Sequence, residues 1–183
     1  MSVTSPPAIA GGTPIRVQPL PYGRHHLDDA DIAAVVAALR SGTLTGGAAI
    51  ADFEHALAAR CNVDHAVAVA NGSVALDLAV LALGVGPGDE VITTPLTFVA
   101  TANAALRAGA KPVFADVGDD RCLEPESVAR AVTPRTKAVI TVDYSGLPSD
   151  IGALRWSAET VMISRWRRRD SVGRGCSWTA TCS

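Results

Sequence analysis

The stretch Ala66–Asn103 constrains the fold more than any other part of the chain. An apolar run, Ala66 to Ala70, stops sharply at Asn71-Gly72 and predicts a short buried strand. From Ser73 to Leu83 nearly every position is apolar and Asp77 is the one charge, which predicts a helix covered on most sides. Gly84 ends it. The turn-rich sequence Gly84 to Asp89 then hands over to a second strand, Glu90–Thr93. A strand-helix-strand unit with so short a return has parallel strands and a right-handed crossover, which places the chain in the α/β class.

The turn Asn71-Gly72-Ser73 carries the first chemical signal. Glycine there lets the backbone pass close to a ligand, and the amides of Ser73 and Val74 open the helix with the positive end of its dipole outward. Such a turn seats an anion. The same serine hydroxyl can equally cap the helix with no ligand involved. Further on, Pro95 breaks the second strand, and Phe98 falls just past its carboxyl end before a helix from about Val99 to Arg107, closed by Gly109. Ligands of open α/β sheets collect beyond those strand ends, so Phe98 either lies against a planar ligand or packs into the core.

The rest of the chain extends the pattern. Asp28 and Asp29 precede an amphipathic helix with Ile32, Val35, Val36 and Leu39 on one face and Ser41-Gly42 at its end. The loop Thr43 to Gly47 leads to a second helix whose face carries Ile50, Phe53, Leu57 and Cys61. Its Thr43 and Thr45 either contact a substrate or only turn the chain between helices. Lys111 to Ala115 and Lys137 to Val142 read as third and fourth buried strands, with a short helix opening at Glu124-Pro125-Glu126 between them.

Composition excludes several classes of function. The 183 residues suffice for one domain with a real core, and 48% are hydrophobic. A formal net charge of -2 lacks a nucleic-acid footprint, and no apolar run reaches the length of a membrane span. Residues 1–23 read as an extended lead-in without the pattern of a secretory signal. Cys61, Cys122, Cys176 and Cys182 are scattered, which fits a reducing cytoplasm and offers no zinc signature. Cys61 with His65 reads as packing and surface, so no metal site is expected.

Near Arg155 the character changes. Trp156, Trp166 and Trp178 lie beyond it with Arg165, Arg167, Arg168 and Arg169, and no apolar period survives. A basic segment for nucleic acid or membrane, an ordinary disordered tail and a shift of reading frame in a gene rich in G and C all yield such residues. The abruptness of the switch favours the frame shift, so residues 156–183 are expected to be aberrant and disordered.

An ordered series of motifs then resembles one family. Pro21-Tyr22-Gly23-Arg24, Leu39-Arg40-Ser41-Gly42, Leu44-Thr45, Asn71-Gly72-Ser73, Ala82 to Val91, Thr97 to Thr101, Pro112-Val113-Phe114 with Asp116, and Tyr144 to Asp150 are similar to the DegT/StrS type of nucleotide-sugar aminotransferase. The resemblance covers about residues 20 to 155, and is nearest to enzymes that aminate a 4-keto-6-deoxy UDP-N-acetyl sugar. It implies a pyridoxal 5'-phosphate enzyme, cytoplasmic and homodimeric, taking glutamate as amino donor and a nucleotide sugar as acceptor. The fold implied is α/β, three-layer α/β/α, with a mostly parallel sheet. Residues 24–155 would then be part of the large domain of a fold type I PLP-transferase. It further implies that Gly72, Ser73 and Val74 hold the cofactor phosphate and Phe98 stacks on its ring, while the loop of Thr43 and Thr45 approaches the sugar nucleotide or the partner subunit. Gly46, Ala48 and Asp77 depart from residues common in the family.

The largest departure concerns the reaction. Transamination requires a lysine bonded to the cofactor and a carboxylate on the pyridine nitrogen. The chain has two lysines, Lys111 and Lys137, each beginning a strand and therefore at the amino rim of a parallel sheet, opposite Ser73 and Phe98. No catalytic residue is therefore assigned, and the ring-nitrogen carboxylate is not given to Asp143. The expectation is a truncated, inactive member of the family. The alternative is a non-catalytic phosphate or sugar-nucleotide binding module that associates with a full-length partner.

Overall fold

The computed structural model describes residues 6–18, 20, 21, 23 and 25–154, together with the backbone of 161–164 and 179–181. It divides into two compact units, residues 1–49 and 50–183.

In the first unit a short 3-10 turn, Ala8–Ala10, precedes α1, Asp29–Arg40. Asp28 caps α1 by accepting the N–H groups of Ala30 and Asp31, and the Asp31 carboxylate accepts the Asp28 N–H in return at 3.0 Å. This reciprocal cap explains why the helix starts where the aspartates cluster. Its predicted apolar face, Ile32, Val35 and Leu39, is exposed. α2, Ala48–Cys61, begins at the boundary of the units.

The second unit carries the sheet. The helix α3, Gly72–Ala82, leads through a tight turn to β1, Glu90–Thr93. α4, Ala100–Arg107, returns to β2, Lys111–Phe114, and α5, Pro125–Ala131, to β3, Thr136–Thr141. Backbone pairing adds β4, Val161–Ser164, and β5, Thr179–Thr181. The order is β2-β1-β3-β4-β5, parallel from β1 to β4, with β5 antiparallel to β4.

Alternation along the strands builds three layers. Val91, Ala138 and Ile140 face Leu76 and Val80 of α3 and Ala100, Ala104 and Ala105 of α4. Ile92 and Val139 face the other way, onto Val128 of α5 with Leu123 and Leu154. The end of α3 is closed by Gly84 at φ +65°, with Gly84 N–H to Leu81 O and Val85 N–H to Val80 O. A residue with a Cβ would pay for that left-handed turn, which is why glycine stands there.

Three expectations are corrected here. Ala66–Ala70 is not a strand, because no described strand lies beside it; its one hydrogen bond to a described residue is Ala68 N–H to Glu54 Oε1 at 2.7 Å. α3 is not covered on most sides: Leu76 and Val80 are buried, but Leu78 and Leu81 are exposed, since α4 and the sheet occupy one side of it. Residues beyond Arg155 were expected to lack regular structure, yet β4 and β5 pair within the sheet. The remainder of that tail lies outside the described residues.

The amino rim of the sheet is tied down by its own charges. Buried Glu90 accepts from Thr133 Oγ1 at 2.6 Å and Arg135 Nη2 at 2.8 Å, with Lys111 Nζ 3.8 Å away. Those hydrogen bonds, from Thr133 first and Arg135 second, hold its carboxyl below the ordinary range against the opposing effect of burial. Lys137 Nζ donates to Gly84 O at 2.6 Å and lies 3.4 Å from Asp89 Oδ2.

Candidate functional site

The opposite rim is built differently. α3 runs into β1 through a short turn, so its first residues lie beyond the carboxyl end of β1, and Phe98 follows that same end. β3 is the parallel neighbour of β1, and Thr93 Oγ1 donates to Ile140 O at 3.0 Å, joining the two strand ends. Asn71, Gly72, Ser73, Phe98, Thr141 and Asp143 thus share one rim.

At the head of α3 the cap is Asn71, not Ser73. Asn71 Oδ1 accepts the Val74 N–H at 3.0 Å, which leaves the Gly72 and Ser73 amides without an acceptor among the described residues. Those two N–H groups sit at the positive end of the helix dipole and suit a phosphate, with the half-buried Ser73 hydroxyl beside them. The sequence placed Val74 in this set; its amide is already held by Asn71.

Phe98 is 62% exposed, so it is not a core residue. The Thr94 hydroxyl accepts the Leu96 N–H at 3.0 Å and the Thr97 and Thr101 hydroxyls share a 2.8 Å hydrogen bond. These contacts fix the turn that presents the ring. α3 and α4 are further joined by Arg107 Nη2 to Asp77 Oδ1 at 2.8 Å.

Past β3, Asp143 Oδ1 accepts the Ser149 N–H at 3.0 Å, while Asp143 Oδ2 and Thr141 Oγ1 are buried without a partner among the described residues. Burial pushes the Asp143 carboxyl above its ordinary range, against the lowering pull of the Ser149 hydrogen bonds. Next to it Ser145 holds φ +54° and Arg121 stands 5.8 Å over the Tyr144 ring. The sequence offers no means of seeing the orphaned oxygen of Asp143; an aspartate ending the run Lys137–Val142 was the available signal.

Thr43 and Thr45 belong to the first unit. Thr43 N–H donates to Ser41 Oγ at 3.3 Å, which holds the loop after α1 as a turn. Among the described residues no three His, Cys, Asp or Glu converge as a metal would require, and no helix is long and apolar enough to cross a membrane.

A parallel sheet between helix layers matches solved structures of one class. The chain superposes on 3-amino-5-hydroxybenzoic acid synthase with a TM-score of 0.69 at 35% identity, covering 78% of this chain and 45% of that one. It also superposes on the sugar aminotransferase Spr1654 of Streptococcus pneumoniae in its PMP form with a TM-score of 0.71 at 32% identity, covering 74% and 34%. These are fold type I pyridoxal-phosphate aminotransferases, and the α/β/α architecture is theirs.

The DegT/DnrJ/EryC1/StrS aminotransferase family model matches residues 25–164, and the chain belongs to that family. Among curated relatives, the spore coat polysaccharide biosynthesis protein SpsC of Bacillus subtilis (strain 168) is 45% identical over 136 residues, 74% of this chain. The chain spans 35% of that relative's length. The family match runs past Arg155, through β4. Pyridoxal phosphate is the family's cofactor.

The residues present fit the phosphate and ring of this group but not its covalent attachment. Two free amides and an exposed ring face the carboxyl rim, whereas Lys111 and Lys137 are both engaged at the amino rim.

Proposed function

We propose that residues 50–154 form the cofactor-holding part of a sugar aminotransferase and that these 183 residues carry no lysine able to bond the cofactor. The amides of Gly72 and Ser73 and the Ser73 hydroxyl bind the phosphate, and Phe98 orients the ring. Val74 joins the phosphate set only when Asn71 releases its amide. Pyridoxal phosphate, when bound, supplies an electron sink through which an amino group passes between donor and acceptor. By analogy with the family, glutamate is the donor and a keto-deoxy nucleotide sugar the acceptor, Thr43 and Thr45 contact that sugar, and the protein works as a cytoplasmic homodimer.

The observation that carries this reading is the pair of unpaired amides at Gly72 and Ser73 on the same rim as exposed Phe98. Covalent chemistry then needs a lysine from outside these residues, because Lys137 Nζ is held on Gly84 O. The test is titration with pyridoxal phosphate followed by borohydride reduction. Saturable binding with no reduced cofactor retained on the denatured chain is expected; a label mapped to Lys111 or Lys137 overturns the reading.

A second reading, a non-catalytic module associating with a full-length relative, is supported by the second unit's open groove of about 330 Å³ between α2 and the extended segment 63–69, lined by Phe53, Leu57 and Cys61. Co-purification with intact SpsC that depends on Phe53 supports it, and its absence discards it.

A further inference from the structure

The chain has three asparagines: Asn62 precedes a valine, Asn103 lies inside α4, and Asn71 precedes a glycine. The side-chain amide carbon of an asparagine is open to attack by the backbone nitrogen of the next residue, and whatever crowds or engages that nitrogen slows the attack. Val63 crowds it with a branched side chain, and the helical backbone fixes it after Asn103. At Gly72 neither obstacle stands, because glycine has no Cβ and its N–H has no acceptor among the described residues. Asn71 is exposed, and its Oδ1 accepts the Val74 N–H at 3.0 Å, which draws electron density from Cγ. The first turn of α3 resists: Ala75 N–H donates to Asn71 O at 3.1 Å and Asn71 is extended at ψ 170°, so both bonds of the cap open before the chain can close on itself. Openings of that kind at a helix end are the least costly in a fold.

We infer that Asn71-Gly72 is a self-modification site, where deamidation of Asn71 sets a carboxylate beside the Gly72 and Ser73 amides and closes them to phosphate. The Gly72 nitrogen bonds to Asn71 Cγ, the Cγ–Nδ2 bond breaks, and the amide nitrogen leaves as ammonia with the Gly72 proton. Solvent water then opens the succinimide at one of its two carbonyls, giving aspartate or isoaspartate, and nothing is oxidised or reduced. Aspartate caps a helix as well as asparagine does and suits its dipole, so the fold survives the change. Its charge repels a second anion at the same place. A bound phosphate acts in the other direction: by taking the Gly72 N–H it keeps the nitrogen from attacking. That coupling rests on the phosphate reading proposed above, whereas the covalent step stands without it.

The full chain is incubated at mildly alkaline pH, and peptide mapping by mass spectrometry follows the change from amide to acid at each asparagine. Asn71 is expected to convert about tenfold faster than Asn62 or Asn103, and Gly72→Ala to slow it by about the same factor. Equal rates at the three asparagines, or a rate that Gly72→Ala leaves unaltered, overturn the inference. Saturating inorganic phosphate is expected to slow Asn71 about threefold or more, as the amide becomes engaged. Asn71→Asp, made directly, is expected to weaken inorganic phosphate about tenfold with the melting temperature held. Undiminished phosphate affinity in Asn71→Asp, or phosphate that binds the wild-type chain without slowing Asn71, overturns the coupling. A wild-type chain that binds neither inorganic phosphate nor pyridoxal phosphate overturns the cofactor reading, while the rate at Asn71 still decides the covalent step.

Discussion

The two rims of the parallel sheet use similar residues and differ in what they leave unpaired. At the amino rim a buried carboxylate is met by Thr133, Arg135 and Lys111, and Lys137 bridges a carbonyl and a carboxylate. At the carboxyl rim two amides, a hydroxyl and a carboxylate oxygen have no partner among the described residues, and a phenylalanine is exposed. One rim is completed by the described residues themselves; the other keeps groups that they do not satisfy. Buried cost left in one place, while the fold satisfies comparable groups elsewhere, agrees with the proposed site.

If that contrast is correct, damage at the carboxyl rim alters binding and damage at the amino rim alters stability. Its strongest test is Ser73→Asp, which sets a carboxylate where the phosphate is to lie: pyridoxal phosphate affinity, measured by titration, falls roughly a hundredfold through like-charge repulsion. The melting temperature holds or rises slightly, because an acid in the first turn of α3 suits the helix dipole. Loss of folding in that variant breaks the comparison.

Next comes Glu90→Gln, read from the acid limb of the stability profile. Because the folded Glu90 is held below its ordinary range, its contribution is full above the unfolded pKa and is lost as pH falls through the folded value. The variant melts lower at neutral pH and loses less on acidification, with cofactor binding unaffected. Asp143 has the opposite sign: its raised carboxyl contributes stability at low pH that disappears as pH rises through the folded value. An Asp143→Asn variant with the same acid limb as Glu90→Gln contradicts the contrast.

Phe98→Ala is smaller. The ring is exposed, so thermal stability changes by less than about 0.5 kcal/mol, while loss of stacking weakens pyridoxal phosphate by about 1 kcal/mol. The smallest effect is at Asp77→Ala, whose partly exposed pair with Arg107 is worth about 0.2–1 kcal/mol by chemical denaturation and does not touch the ligand.

The sequence made β1, β2 and β3 legible because each is a short run with apolar or β-branched residues bounded by glycine, proline or a charged residue. Ala66–Ala70 has the same local signal and forms no strand, because pairing depends on a neighbour that local pattern does not report. At β4 the converse holds: Val161 and Ile163 suit a strand, but they stand where the apolar pattern has been lost, and the pairing with β3 and β5 is not reported by local sequence. The positions of Ser73 at the head of a helix and of Phe98 past a strand end were legible from the turn and the strand end. The Asn71 cap and the orphaned oxygens of Thr141 and Asp143 were not, since hydrogen-bond satisfaction is settled by distances across the fold rather than by residue type.

The alanines of α4 carry a last consequence. Ala100, Ala104 and Ala105 pack in one cluster with Leu76 and Val80 of α3, and such small side chains let two helix axes come close with little room to slide. One helix begins at Gly72 and the other just after Phe98, so the gap between those two contact points is held like the jaws of a locked caliper. On the proposed reading, that spacing sets how far apart the charged end and the flat end of a ligand must lie.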